Sequence, residues 1–158
     1  SSGNIKINKE VLNVKELLSQ VTGEFKDKFN KRGLNIITKV PEEIVYIKAD
    51  SRYLYRVLEN VYSNVAKYAA QDSRVYLDCV LEENGDVVIY VKNISKEELN
   101  ISTDELMQRF VRGDKSRNTE GSGLGLSIAN SLTELQGGTF NIHLDGDLFK
   151  TEIRFKRV

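Results

Sequence analysis

Apolar residues recur at three- and four-residue steps in three segments of the chain, and this spacing predicts three amphipathic helices. The first helix begins after Asn13, whose side chain can cap a helix, and runs to about Lys31, stopping near Gly33, a residue suited to a helix C-cap. The second covers about residues 52–70 and has Asp50 or Ser51 as its N-cap. Its apolar stripe comprises Leu54, Val57, Leu58, Val61 and Val65. Both helices should therefore bury one face in a common core.

The third predicted helix covers residues 124–136 and ends at a pair of glycines, which commonly follow a helix. Its expected buried residues are Leu124, Ile128, Leu132 and Leu135. Because these residues also lie three or four positions apart, they place the third helix on the core as well.

Alternating apolar and polar residues, bounded by turn residues, predict the strands. These strands cover residues 34–40, 44–48, 74–82, 86–92, 139–144 and 148–155. The Asn84-Gly85 pair is a hairpin signal, so the strands on either side of it should pair antiparallel. Residues 1–12 predict a lead-in that holds one edge strand. These elements predict an α+β fold, a two-layer α/β sandwich in which three helices cover one face of a mixed sheet.

The stretch between residues 93 and 123 has only short helical possibilities, over residues 96–99 and 103–109. An irregular segment longer than ~12–15 residues inside a compact domain is usually a functional loop or disordered. We therefore expect a flexible loop over about residues 100–122, in a single domain that covers residues 13–158.

The composition of the chain limits the classes of function that it can have. At 158 residues with 40% hydrophobic and 29% charged content, the chain is typical of one globular domain. Its formal net charge is zero, which does not favour nucleic acid as a partner. The single cysteine, Cys79, excludes an intramolecular disulfide, and its apolar surroundings predict a buried thiol. No run of ~20 apolar residues and no signal peptide are present, so we expect a cytoplasmic domain without membrane contact of its own.

Glycines at alternate positions, Gly121, Gly123 and Gly125, lead into the third helix. Glycines leave backbone N–H groups accessible, and a helix start carries a partial positive charge, so this stretch suits an anion. The cations just before it are Arg109, Arg112, Lys115 and Arg117. Together they predict a site for a multiply charged anion such as a nucleoside triphosphate.

A second polar cluster lies on the second helix, where Asn60, Asn64 and Lys67 share a face beside the apolar stripe. Amide oxygens are suitable ligands for Mg²⁺, and Lys67 adds a charge for a phosphate. Tyr68 offers a flat face for a base. The alternative is that the two asparagines only bond neighbouring backbone groups, although their combination with the glycine-rich stretch favours the ligand site.

Three motifs, taken in order, resemble those of a known family. The segment ENVYSNVAKYA resembles the N box of sensor histidine kinases, RFVRGDKSR resembles their F box, and GSGLGLSIA resembles their second glycine box. The resemblance covers essentially the whole chain. It implies the ATP-binding catalytic domain of these kinases, with a Bergerat-type fold and an ATP lid over the loop at residues 100–122.

The resemblance also implies roles for individual residues. Asn64 is implied as the Mg²⁺ ligand, with Asn60 beside it at the phosphates and Lys67 as a phosphate contact. Tyr68 would lie beside the adenine, and Arg112 would contact the γ-phosphate. The remaining implied nucleotide contacts are Phe110, Lys115, Gly121, Gly123, Leu124 and Gly125. Arg109 and Arg117 have no firm assignment, because lid cations often only face solvent.

The chain departs from the family at the adenine end. The segment VKNISKEEL has Asn93 where the family's first glycine box has an aspartate, and it has neither of that box's glycines. An asparagine carbonyl can still accept a hydrogen bond from the adenine amino group, but without the aid of a charge. The family's last motif has a threonine, which this chain retains as Thr151; it either takes part in adenine binding or is only a strand residue. In the same motif Phe149 occupies a position where a glycine is common.

The implied activity is that of a protein-histidine kinase, which transfers the γ-phosphate of Mg-ATP to a histidine on a separate dimerisation domain. Its indirect partner would be a response regulator, and its parent a homodimer anchored in the cell membrane. His143 is expected to be a structural strand residue, and Glu59 a surface residue. The alternatives are a nucleotide-binding regulatory module of weakened activity, or another kinase or DNA-processing ATPase of the same superfamily.

Overall fold

A computed structural model of the chain describes residues 5–99, 105 and 124–158. The helices in these ranges are α1 (Val14–Lys31), α2 (Ser51–Tyr68) and α3 (Leu124–Leu135). The strands are β1 (Glu10–Asn13), β2 (Asn35–Lys39), β3 (Tyr46–Ala49), β4 (Arg74–Leu81), β5 (Asp86–Ile94), β6 (Thr139–Asp145) and β7 (Leu148–Lys156). The α+β class, the mixed sheet and the three helices are therefore as predicted.

Five strands form the main sheet, in the order β2-β4-β5-β7-β6. Only β2 and β4 run parallel, whereas the other neighbours are antiparallel, including the predicted hairpin of β4 and β5. The lead-in strand β1 pairs with β3 in a separate two-stranded sheet. An isolated bridge between Ile47 and Arg157 joins this small sheet to the end of β7. The lead-in is thus hydrogen-bonded to the body of the domain.

The core lies between the helices and one face of the main sheet. Over the second half of β5 the side chains of Ile89, Val91 and Asn93 are buried, while Tyr90 and Lys92 between them are only half-buried. Period-two burial of this kind places one side of the strand against the helices. The apolar stripe predicted for α2 is buried throughout, and Tyr62 joins it by stacking on Phe29 with ring centroids 5.8 Å apart.

Helix α1 has the predicted cap at each end. The Asn13 side chain accepts a hydrogen bond from Glu16 N at 3.2 Å. At the other end Gly33 takes a positive φ of 66°, and Gly33 N and Leu34 N donate to Asn30 O and Phe29 O. This pair of bonds is a Schellman motif, in which a residue without a Cβ adopts the left-handed conformation most easily. It turns the chain directly into β2.

Helix α2 begins at a buried polar junction. The Asp50 carboxylate accepts hydrogen bonds from Arg52 N and Tyr53 N, as an N-cap does, and also from Asn8 N at 2.8 Å. Asp50 N in turn donates to Gln136 Oε1 at 2.9 Å. This junction therefore joins the lead-in, the start of α2 and the end of α3.

The predicted buried stripe of α3 is partly wrong. Ile128 and Leu135 are only half-buried, and the side chain of Leu124 lies outside the described residues. The predicted burial of Leu132 is confirmed, and the other buried residues of α3 and its C-terminal turn are Leu126, Ala129, Thr133 and Gln136. Two of them are polar, and their hydrogen bonds are satisfied, since Thr133 Oγ1 donates to Ala129 O and Gln136 Nε2 to Leu132 O. A stripe chosen from apolar residues alone misses such positions.

The remaining predictions divide between described and undescribed residues. Residues 96–99 do not form a helix, because the chain bends there and Glu97 N bonds the Ser95 side chain instead. The possible helix over 103–109 and the lid over 100–122 lie outside the described residues, apart from Glu105. In the ranges that the structure covers, no helix is both long and apolar enough to cross a membrane.

The junction at Asp50 predicts a difference between the two helix caps. Replacing Asp50 by Ala removes three acceptor contacts and leaves Asn8 N without its acceptor, so the free energy of unfolding should fall by about 2–3 kcal/mol. The exposed cap of α1 provides the comparison, because Asn13→Ala removes one bond and should cost about 1 kcal/mol. Urea unfolding of both variants measures the difference. Equal losses would show that the Asn8 contact adds nothing.

The predicted burial of Cys79 is confirmed, and it has a consequence for pH. Burial raises the pKa of the thiol from 9.0 to about 11. The folded protein therefore holds this proton at a pH where the unfolded chain releases it, so stability should fall as the pH rises from about 9 towards 11. Cys79→Ala should flatten this part of the stability profile. A thiol reagent at pH 8 should react with the native protein far more slowly than with the protein in urea.

Candidate nucleotide site

The predicted polar face of α2 is present beside the buried stripe. Asn60, Asn64 and Lys67 are half-buried, whereas Glu59 and Ser63 on the outer side of the helix are exposed. Spacings of four and three residues bring the first three side chains to one face. The residues chosen from the sequence are thus brought together at the border between the core and solvent.

The start of α3 lies directly against this face. A Cβ placed on Gly125 would stand 3.5 Å from the Asn60 Cβ and 3.6 Å from its Cγ, with no other atom closer. The glycine box and the N box, 65 positions apart in the chain, therefore meet at this contact. Gly121 and Gly123 precede it in the sequence and lie outside the described residues.

Asn60 also has an unused hydrogen-bonding group. Its Nδ2 is buried and has no hydrogen-bond partner among the described residues. Because most buried polar atoms in proteins have a hydrogen-bond partner, the unpaired Asn60 Nδ2 is expected to bond a ligand or a water. The Oδ1 of Asn130 on α3 is in the same condition. From the sequence no role is predicted for Asn130, because only the apolar residues of this helix are considered.

The C-terminal end of α2 is fixed to the end of β5. Ala70 N donates to Ile94 O at 2.7 Å, and Lys96 N donates to Tyr68 O at 2.9 Å. Arg32, at the end of α1, donates from its guanidinium to Ala66 O and Ala69 O. A cation at a helix C-terminus meets the negative end of the helix dipole, which stabilises the contact. These bonds hold Tyr68 and the start of the loop after β5 in place.

Asn93 and Thr151 form the other end of the candidate site. Both are buried, with 3% and 1% of their surface exposed, on the sheet face that the helices cover. In the register Asn93 pairs with Phe149 and Val91 pairs with Thr151, so the two polar residues are diagonal neighbours on adjacent strands. Such neighbours lie roughly 7–8 Å apart, within reach of one bridging water. The Oδ1 of Asn93 has no partner among the described residues.

The order of these groups defines an elongated site. Asn60 and Gly125 lie beside the middle of α2, while Asn93 follows on the strand whose next residue, Ile94, bonds the chain just after α2. Near this second end the Lys96 Nζ stands 5.9 Å from the centre of the Tyr68 ring, which makes the end cationic as well as aromatic. The arrangement offers amides for phosphates at one end and buried polar groups for a base at the other.

Several residues of the predicted site lie outside the described residues. They are Arg109, Phe110, Arg112, Lys115, Arg117, Gly121, Gly123 and the side chain of Leu124. His143, in contrast, is a strand residue as predicted. It lies on the uncovered face of the sheet, where its Nε2 is 2.9 Å from Glu152 Oε1. The exposure of Glu59 likewise agrees with its prediction as a surface residue.

The chain belongs to the family of histidine kinase-, DNA gyrase B- and HSP90-like ATPases, whose model matches residues 49–157. The family match confirms the prediction that ATP is a nucleotide for this domain. Among curated proteins, the sensor histidine kinase HprS of Escherichia coli K12 is 32% identical over 144 residues, covering 88% of this chain and 28% of HprS. The chain thus spans little more than a quarter of that relative's length.

Solved structures share the fold. The catalytic domain of the histidine kinase ThkA superposes with a TM-score of 0.78 at 19% identity, covering 95% of this chain and 98% of that one. Full-length ShkA, solved in complex with AMPPNP, gives a TM-score of 0.78 at 22% identity over 98% of this chain and 32% of ShkA. These likenesses confirm the fold, and together with the family match and the similarity to HprS they confirm the resemblance to sensor histidine kinases.

Proposed function

We propose that this chain binds Mg-ATP between α2, α3 and the end of β5, and transfers the γ-phosphate to a histidine on a separate dimerisation and phosphoacceptor domain. The observation that carries the proposal is the pair of buried, unpartnered amide atoms, Asn60 Nδ2 and Asn93 Oδ1. Asn60 lies against the start of α3 and Asn93 lies near the end of β5, in a chain that belongs to a family of ATPases. Two-component signal transduction is the setting in which the homologous sensor histidine kinases act.

The residues present at the phosphate end fit Mg²⁺. Asn60 and Asn64 supply amide oxygens one helical turn apart, and oxygen is the ligand atom that Mg²⁺ prefers. The described residues contain no cluster of three His, Cys, Asp or Glu side chains, so a cage made of protein groups alone is not formed there. A metal that arrives with phosphates needs only one or two protein ligands. Asn64 is the proposed direct ligand, and bound Mg²⁺ would neutralise phosphate charge.

Lys67 completes the phosphate end from the same face of α2. Its ammonium is a point charge that can approach a phosphate without a fixed geometry. Arg112, predicted from the F box, would bring a further cation to the γ-phosphate from the lid. Phosphoryl transfer depends mainly on positioning and charge stabilisation, and these residues would provide both.

At the base end Asn93, Thr151 and Tyr68 would receive the adenine. The unpartnered Asn93 Oδ1 can accept the hydrogen bond of the adenine amino group. The Thr151 hydroxyl lies near enough to act through a water, and the Tyr68 ring offers a stacking face. A neutral amide accepts a weaker hydrogen bond than a carboxylate does, so the proposed contact with adenine is of modest strength.

The transfer itself needs no base from this domain. The unprotonated imidazole nitrogen of the acceptor histidine supplies the electron pair for the new bond to the γ-phosphorus, as the bond to the bridging oxygen breaks and ADP leaves. The proton on the other ring nitrogen then passes to the acceptor domain or to solvent. This agrees with the exposure of Glu59, the acidic residue nearest to Asn60 in sequence. The parent would be a membrane-anchored homodimer with this domain in the cytoplasm and a response regulator downstream.

The affinity for Mg-ATP tests the phosphate end. Replacing Asn64 by Ala removes the proposed metal ligand, so the dissociation constant for Mg-ATP should rise at least tenfold in isothermal titration. Glu59→Ala, a change on the exposed side of the same helix, should leave the constant unchanged. With EDTA in place of Mg²⁺, the difference between the Asn64 variant and the unchanged protein should disappear. Unaltered Mg-ATP binding by the Asn64 variant would refute the assignment.

Transfer of label tests the reaction. When the dimerisation and phosphoacceptor domain of the parent is added with γ-labelled ATP, label should move to that domain. A version whose acceptor histidine is replaced by alanine should stay unlabelled. The second candidate function, a regulatory nucleotide-binding module, is motivated by Asn93 in place of an aspartate. Tight Mg-ATP binding without any transfer would favour that candidate.

A further inference from the structure

The buried polar side chains at the base end share one chemical property. The Asn93 amide has both a donor, Nδ2, and an acceptor, Oδ1, and it can exchange them by rotating through 180°. The Thr151 hydroxyl also donates or accepts as required. A carboxylate at the place of Asn93 would accept only. No acidic side chain is buried beside these two residues in the described part of the chain, so the polarity of the base end is not fixed by a charge.

Adenine and guanine differ at the position that such groups would read. Adenine presents an amino donor at C6, and guanine presents a carbonyl acceptor there. Enzymes reject a wrong substrate strongly when it leaves a buried group of fixed polarity unpaired or opposed by a like group. An amide that can present either atom is satisfied by both bases, so this source of discrimination is lost.

The Asn93 amide presents an uncommitted acceptor atom at the base end. Its Oδ1 has no hydrogen-bond partner among the described residues, so no described contact fixes the amide with that atom towards the ligand. The backbone around it is held firmly, since Asn93 lies in register between Val75 of β4 and Phe149 of β7. The strand therefore fixes the position of the Asn93 amide, while no bond to Oδ1 fixes which of its two polar atoms faces the ligand.

We infer that Asn93 makes the base end accept both adenine and guanine, so that the site binds GTP as well as ATP. The inference rests on the proposed function, since it requires a purine nucleotide to lie with its C6 edge at Asn93. It deepens that proposal by naming the substrate class as purine nucleoside triphosphates.

Competition binding with Mg-ATP and Mg-GTP tests the inference. The unchanged protein should bind the two nucleotides with dissociation constants within about tenfold of each other. Asn93→Asp should raise the preference for ATP at least tenfold, chiefly by weakening GTP, because the carboxylate opposes the guanine oxygen. Asn35→Asp, the same change at an exposed position at the start of β2, should leave the preference unaltered.

A second measurement needs no variant and therefore does not depend on the folding of one. Inosine triphosphate keeps the C6 oxygen and should bind about as well as GTP, whereas purine riboside triphosphate has only hydrogen at C6 and should bind more weakly than either. A preference for ATP over GTP above a hundredfold in the unchanged protein, or one that Asn93→Asp leaves the same, would overturn the inference. Failure to bind any of these nucleotides would instead refute the proposed function.

Discussion

The start of α2 is the fixed point on which the candidate site depends. Asp50, with 4% of its surface exposed, carries its negative charge into the protein at a considerable cost in desolvation. Three backbone N–H groups offset this cost, and charged acceptors make the stronger hydrogen bonds. Gln136 holds the Asp50 backbone from 86 residues away in the chain. Because a helix rises 1.5 Å per residue, the position of Asp50 sets the positions of Asn60 and Asn64 about 15–20 Å further along.

The buried polar groups of this protein are of two kinds, those that are hydrogen-bonded within the protein and those that have an atom unpaired among the described residues. Thr133, Gln136 and Asp50 are buried, and their hydrogen bonds are satisfied within the protein. Asn60 and Asn93 each bury an atom that has no partner in the described ranges. The first kind holds the helices together, whereas the second kind lies at the candidate site. Since most buried polar atoms in proteins are paired, these two amides are suited to pair with a ligand.

Local signals in the sequence predicted most of the elements correctly. Asn13, Asp50 and Gly33 act through bonds to residues a few positions away, so their roles as helix ends can be inferred from neighbouring residues. The parallel pairing of β2 with β4, and the pairing of β1 with β3, depend on contacts between distant segments and could not be inferred in this way. The face of α3 was mispredicted for the same reason, because the buried Gln136 bonds the backbone of Asp50, a residue 86 positions away in the chain.

The part of the candidate site that could be predicted is the part in which residues are brought together by their spacing along one helix. Asn60, Asn64 and Lys67 share a face of one helix, and the period of the helix alone brings them together. The contact between Asn60 and Gly125 required knowledge of how α2 packs on α3. The roles of these residues still derive from the family resemblance, since positions in a fold do not by themselves state which atoms of a ligand are contacted.

The hydrogen bond from Asn8 N to Asp50 changes how the edge of this domain should be understood. Residues 1–12 look like a connector in the sequence, but in the structure the chain is attached to the domain from Asn8 onward and pairs through β1 with β3. A fusion protein or shortened fragment that begins at Val14 would therefore remove part of the support of α2, the helix that carries Asn60 and Asn64. The useful boundary for cutting or grafting this domain lies ahead of Asn8.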